Sequence, residues 1–311
     1  MVDGDPAPGG GRWSRGLGLI TVLALLYYPV GMALIHRVDD DPDFAPPAGD
    51  VVPGASRAVA VAIALIDREV NVNRWTANDP FFMPAAALDN MPNYQQGIIA
   101  ALSRFAIELT DQISRTRGSS EVDADLEKAL GLLKYSGKVW IFDLSTSWAP
   151  TASSEAQYRA AMRALGRYND RLAAGDAVFE RRADDLLVTL DRIAADIGSS
   201  SAAIDRQIRE HGVIDFYADD LFYAVKGRLY AYYLILRGLA ADFDNVIVER
   251  DLGPAWDEML ASFRVAATLD PWVIVNGAPD GQLLPSHLAA QGFYLLRART
   301  QLREITNILL K

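Results

Sequence analysis

The chain has 311 residues, 50% of them hydrophobic, and a formal net charge of −10 at neutral pH. That length and apolar content support a sizeable buried core and exclude a disordered chain, while the acidic balance argues against nucleic acid or anionic surfaces as partners. Cysteine is absent, which removes disulfides, thiolate nucleophiles and sulfur-ligated metals, and fits either an oxidising or a reducing compartment.

Residues 16–35, GLGLITVLALLYYPVGMALI, contain no charged side chain and lie between Arg12 and Arg15 on one side and His36 and Arg37 on the other. At ~1.5 Å per residue the run covers a hydrocarbon core of ~30 Å, so it predicts a transmembrane helix over 16–36, with Pro29 as a point of kinking. The following GMALIHRVDDDPDF offers no small-residue cleavage site, so the segment reads as a retained anchor. Arg12 and Arg15 against Arg37 and the distant Arg57 place a tail of 1–15 in the cytoplasm and the bulk of the chain outside. Arg12, Arg15 and Arg37 outnumber Asp3 and Asp5 by one, so the remainder of the chain holds −11. DDDPDFAPPAGDVVPG, residues 39–54, is rich in Pro, Asp and Gly and lacks apolar periodicity. The stretch 37–55 therefore reads as a linker lifting the domain off the bilayer.

AVAVAIALIDREV, just after Ser56, alternates like a strand, but its alanines and its length favour a buried helix of about four turns. Asn93 and Gln96 form a capping box, after which Ile98, Leu102, Phe105, Leu109 and Ile113 recur at helical spacing. Asp123 opens a shorter helix with Leu126, Leu130 and Leu133, and Ser154 with Gln157 supplies a second capping box for 158–174. Leu186, Leu190, Ile193 and Ile197 mark a helix ended by Gly198, and three serines open the next one. Leu221, Val225, Leu229, Tyr232, Leu236 and Phe243 trace an apolar stripe on a segment that is greasy between those positions too. Lys226, Arg228 and Arg237 leave too short an uncharged run there for a second membrane span. Asp219 and Asp220 suit the start of that helix, and Pro254 the first turn of the next, running to Leu269. Leu288, Gly292, Leu295, Leu302, Ile305 and Leu309 give a final helix interrupted at Arg299. WVIV at 272–275 is the one short strand-like piece, so the expected class is all-α: a transmembrane helix, then an antiparallel bundle of seven or eight helices over 56–311, divisible into two sub-bundles.

Residues 73–97, NRWTANDPFFMPAAALDNMPNYQQG, carry the most unusual chemistry. Trp75, Asn78, Asp79, Asn90, Asn93, Tyr94 and Gln95 combine aromatic faces that stack on sugars with amides that bond hydroxyls, a composition suited to a glycan groove. The competing reading is structural: Asn and Asp before Pro build turns and caps, while Phe81, Phe82 and Met83 plug a core. LDNMPNYQQG, DQISRTRGSS at 111–120, LLKYSGKVWIF at 132–142 and YNDRLAAGDAVFERRADDLL at 168–187 together resemble an uncharacterised bacterial family, domain of unknown function 2333. The resemblance implies a Gram-negative envelope protein with an N-terminal anchor, and carries over no activity and no functional residue.

Catalytic readings find little footing. Asp79, Asp89, Glu108 and Asp111 are carboxylates of the kind a glycosidase pairs, but Glu108 and Asp111 fall on the solvated side of their helix relative to the apolar stripe. His36, His211 and His287 form no metal-ligand spacing, GAPDG at 277–281 reads as a turn, and Ser119 and Ser120 cap the helix at Asp123. Arg115, Arg117, Arg181 and Arg182 form two basic spots able to meet the acidic linker or lipid headgroups. No catalytic residue, cofactor or metal is expected. The expected function is that of a single-pass inner-membrane protein with a periplasmic domain acting as a structural or interaction module of the cell envelope. Its partners would be inner-membrane lipid and an envelope protein or peptidoglycan, with self-association as a homo-oligomer through the last helix or the anchor. The alternative is a membrane-tethered hydrolase or binding protein acting on envelope glycan through 73–97, with Asp79 or Asp89 as its acid.

Overall fold

The architecture is organised by the stretch whose apolar character runs all the way round, because a helix with no polar face must be enclosed by others. In the computed structural model this is α7 (Ala218–Asp242), with Phe222, Val225, Leu229, Tyr230, Tyr232, Leu234, Leu236 and Leu239 all buried. The structure describes residues 10–50, 52–116, 123–142, 148–210, 212, 215, 217–278 and 284–311, with side chains except at 10–15, 17, 19, 20, 50 and 112–116. The other helices are α1 (Gly10–Ile35), α2 (Arg57–Asp67), α3 (Asn90–Thr116), α4 (Ala124–Leu133), α5 (Ser154–Ala174), α6 (Ala183–Glu210), α8 (Asp244–Glu249), α9 (Gly253–Ala267) and α10 (His287–Leu309). Among the described residues there is no strand beyond one isolated bridge, Asn276 to Ser286, so the all-helical class holds and WVIV builds no sheet. Among the described residues nine α-helices follow α1, against the expected seven or eight, and the six-residue α8 is one that the apolar spacing does not mark.

α2, α3 and α9 pack on α7, while α10 lies against α6 and α9, and α5 against α4 and α2. The buried side chains form one contiguous cluster. The α3–α7 crossing is the most extensive contact and the closest. A Cβ on Gly97 would collide with the backbone of Ala224, and one on Gly227 with the backbone of Tyr94. Two glycines facing opposite helices thus let the two backbones meet without side chains between them.

Helix ends follow local chemistry, though not always at the expected residue. The Ser56 hydroxyl accepts from Val59 N–H at 3.2 Å, and the Asp242 carboxylate accepts from Ser56 Oγ (2.7 Å) and from the amides of Arg57 (2.7 Å) and Ala58 (3.0 Å). A carboxylate therefore meets the positive end of α2 and ties it to the end of α7. Asp123 caps α4 as expected. α3 begins four residues earlier than the capping box implies: Asn93 N–H donates to Asp89 O at 3.1 Å, and Pro92 sits in the first turn, where no N–H is needed. The second capping box is also displaced, since Ser153 holds the cap position of α5 while Ser154 Oγ donates to Ser136 O at 2.7 Å.

Gly198 does not end a helix; α6 runs through it and through the serines for 28 residues. The glycine is needed for room, because a Cβ there would lie 2.9 Å from the Arg299 guanidinium, whose Nε donates to Ala194 O at 3.2 Å. The charged interruption of the last stripe is thus a polar contact across the α6–α10 interface. Ile113, Arg115, Arg117, Ser119, Ser120, His211 and most of GAPDG, together with the first nine residues of the expected tail, lie outside the residues or side chains described.

α1 is 26 residues long and contains Pro29. Val22, Leu23, Leu25, Leu26, Tyr27, Val30 and Leu34 are exposed on it, between 47% and 81%. Among the described residues no helix is long and apolar enough to cross a membrane. The span expected at 16–36 therefore rests on the sequence of α1.

Gly227→Leu, which forces a branched side chain into the α3–α7 contact, is expected to destabilise the fold by about 3 kcal/mol or more. Urea unfolding followed by tryptophan fluorescence measures this, and an unchanged midpoint would show that the crossing does not depend on the glycine.

Candidate functional site

The residues expected to line a glycan groove are mostly packed away. Trp75 is 1% exposed, donates from Nε1 to Gly137 O at 2.8 Å and meets the Tyr158 ring edge-on at 5.0 Å between centroids. Asn78 is buried and donates from Nδ2 to Val139 O and Glu155 Oε2, both at 2.8 Å. Asp79 pairs with Arg74 at 2.8 Å; burial nonetheless holds its carboxyl above the ordinary range, outweighing the arginine. Asn90 is half-buried at the start of α3, and Asn93 donates to Asp220 Oδ1 at 2.6 Å, joining α3 to the first turn of α7. Tyr94 and Gln95 are fully buried. The seven do not converge on an open cleft. Asn78 Nδ2 and both ends of the Gln95 amide are bonded inside the fold, fastening the 73–80 loop to the 137–155 region and to α3, while Asn78 Oδ1 and Asn90 Oδ1 are buried without a bonded partner among the described residues. Asp79 and Asp89 likewise form no facing pair: one is ion-paired and the other is exposed.

The structure instead centres on a polar network where α2, α3 and α7 meet, covered by the segment expected to be a linker. The π-helical turn after α2, Arg68–Val72, turns Arg68 and Glu69 inward. Arg68 reaches Glu69 Oε1 at 2.7 Å and donates to Tyr230 OH at 2.8 Å. Gln95 Nε2 donates to the Glu69 carbonyl at 3.2 Å and to Arg74 O at 2.8 Å, while its Oε1 accepts from the amide and hydroxyl of Thr76, both at 3.1 Å. Burial pushes the Glu69 carboxyl up in spite of Arg68. It also pushes the Tyr94 and Tyr230 hydroxyls well above their usual range.

Onto this network lies the acidic strap, 39–44. Asp39 O accepts from Tyr94 OH and Asp41 O from Tyr230 OH, each at 2.7 Å. The Asp39 carboxylate stands 3.5 Å from Arg68, and the Asp40 carboxylate 2.7 Å from Lys226, which also donates to Leu269 O at 2.6 Å. Arg237 donates to Pro42 O at 2.6 Å, and the Phe44 ring lies under the Arg68 guanidinium, 4.6 Å from its centroid. At the other end of the stretch Arg181 donates to Gly54 O and Ala55 O at 3.2 and 3.3 Å, so one of the expected basic spots does meet this segment. The stretch expected to be a linker is thus bonded to the bundle at 39–44 and again at 54–55. Its lack of apolar period reflects docking through backbone carbonyls and carboxylates, which leaves no periodic signature.

A second feature, unmarked in the sequence, is a cleft between α3 and α6. A cavity of about 270 Å³ is lined by Arg104, Glu108, Asp111, Arg192, Asp196 and Tyr232. Through Arg104, Ile107, Asp196 and Ser199 it joins a wider one of about 550 Å³, which reaches Gln96, Lys134, Tyr135, Tyr158 and Arg228. Asp196 is the hub: it accepts from Tyr232 OH at 2.8 Å and faces Arg104 at 3.3 Å and Arg228 at 3.6 Å. Glu108, expected on the solvated side, is 3% exposed and faces Arg192 at 3.5 Å, because α6 covers that side of α3. Asp196, Ser199 and Ser200 beside the α6 stripe were the available signal for this cleft. Its arginines, lysine, amide and hydroxyls suit a polar, anionic or hydroxyl-rich group.

Fold and site together define an all-helical bundle into which an N-terminal apolar helix is locked by an acidic strap. The chain belongs to the bacterial family described as uncharacterized protein conserved in bacteria (DUF2333), whose model matches residues 50–215. No curated protein and no solved structure matches the chain.

Asp40→Asn leaves Lys226, whose side chain is 1% exposed, with a carbonyl as its main partner, and is expected to cost about 2 kcal/mol, the partial exposure of Asp40 moderating the loss. In the double variant Asp40→Asn/Lys226→Met much of that loss returns, because the unpaired buried charge is gone. A double-mutant cycle by urea denaturation reads both, and additive losses would show that the pair does not couple.

Proposed function

We propose that this is a single-pass inner-membrane protein whose helical domain is a structural or interaction module of the cell envelope, held against the bilayer in a fixed orientation. The observation that carries this reading is the docked strap. Residues 39–44 are bonded into the bundle by Tyr94, Lys226, Tyr230 and Arg237, so the exposed apolar surface of α1 projects from the domain as part of it. An apolar helix bonded in this way is poorly suited to water and well suited to lipid. The charge balance of its flanks favours the domain lying in the periplasm. The α3–α6 cleft is the surface best suited to a partner there, an envelope protein or a peptidoglycan strand with carboxylates and hydroxyls for Arg104, Lys134 and Arg228 to meet. A glycan hydrolase working through 73–97 is less well supported, since Trp75, Asn78 and Gln95 are buried and bonded internally.

Fusion of reporters to Lys311 tests the topology. A periplasmic domain gives an active phosphatase fusion and a dark green-fluorescent one. Bright cytoplasmic fluorescence without phosphatase activity would overturn the orientation, and recovery of the whole chain in the soluble fraction would overturn the anchor.

A further inference from the structure

The loop at 80–88, PFFMPAAAL, is uncharged, and it lies along α1. Tyr27 OH donates to Phe82 O at 3.0 Å and Tyr28 OH donates to Phe81 O. A Cβ on Gly31 would collide with the Pro84 ring, so helix and loop are in direct contact. Yet Phe81 and Phe82 turn their rings outward, while Ala85 is buried. Phe81 is 83% exposed and Phe82 48%, and the rings continue from Phe82 to Trp140 (5.7 Å between centroids) and from Trp140 to Phe142 (5.5 Å). Ile141 and Phe142 are 43% and 51% exposed at the far end of that row. Contiguous aromatic surface of this kind marks an interaction site.

The backbone of the loop identifies the partner's chemistry. Where water is present an exposed loop leaves its carbonyls to solvent; in lipid each must be answered from within. Here Pro80 O accepts from Met83 N–H at 2.8 Å, Met83 O from Ala86 N–H at 3.1 Å and Ala85 O from Leu88 N–H at 3.0 Å. The carbonyls of Phe81 and Phe82 are taken by the two tyrosine hydroxyls. Pro80 and Pro84 have no N–H to satisfy. An uncharged loop with exposed aromatic rings, five of its carbonyls already bonded and two positions without an N–H, running along an exposed apolar helix, is suited to hydrocarbon.

We propose that residues 80–88 form a membrane-inserting loop that enters the acyl region of the bilayer beside α1, with the Trp140–Phe142 row resting at the headgroup boundary. This rests on the reading of α1 as the anchor. Tyr27 and Tyr28 lie about 10 Å along the helix axis from its end at Ile35, which sets the depth the loop reaches. The domain thereby contacts the membrane at two points, and the loop and strap together prevent it from swinging about the anchor.

Because the chain has no cysteine, single substitutions give unique labelling sites. Full-length Phe81→Cys, Leu25→Cys and Val248→Cys, each carrying an environment-sensitive nitrobenzoxadiazole fluorophore, are reconstituted in phosphatidylcholine/phosphatidylglycerol vesicles containing nitroxide lipids. The proposal expects blue-shifted emission at 81 with loss of signal to shallow nitroxides, loss at 25 to deep ones, and water-like, unquenched emission at 248. If 25 is quenched while 81 behaves like 248, the loop proposal fails and the anchor stands; if 25 is also unquenched, the anchor reading fails with it. Ala86→Cys, on the same loop and exposed, provides the same readout should the label at 81 disturb folding.

Discussion

Arg68 and Lys226 are cations with almost no access to water, and the rest of the molecule is arranged to answer them. A buried charge is tolerated only when paired and bonded, and removing a partner costs far more than the pair contributes. Glu69 supplies one answer from the neighbouring position. The others come from far away in sequence, through Asp39, Asp40 and the carbonyl of Leu269. Docking of the N-terminal segment therefore supplies both cations with partners that the bundle alone does not.

The same requirement fixes the geometry around it. Tyr94 and Tyr230 can both point at the strap because Gly97 and Gly227 let α3 and α7 approach backbone to backbone. Asp242, at the C-terminal end of α7, then holds the start of α2, so α7 is bonded to the N-terminal half of the chain at its middle and at that end. The core is bonded through the strap to the segment that follows α1, which sets the direction of the α3–α6 cleft relative to that helix.

Much of the fold was legible because helices announce themselves by period. The stripes of α3, α4, α6, α7 and α10 read correctly, as did Asp123 as a cap and Pro254 as a first-turn residue. Boundaries were less legible, because one residue type serves two ends. Gly198 resembles a helix stop in sequence but makes room for Arg299, and Asn93 resembles a cap but bonds Asp220 from within α3. The candidate site was legible only as an anomaly. The density of amides and aromatics in 73–97 was visible, but whether Trp75 and Gln95 turn outward to a ligand or inward to Gly137 and Thr76 depends on neighbours more than 15 positions away.

By itself, then, the sequence determined the helical class, the twenty uncharged positions near the start and the family, all of which follow from local composition and spacing. Only the tertiary structure decided that the acidic stretch is a docked strap, that 73–97 is a fastening, and that a cleft opens at Asp196. Those outcomes depend on which charges and amides meet across long separations, and that pairing has no period to betray it.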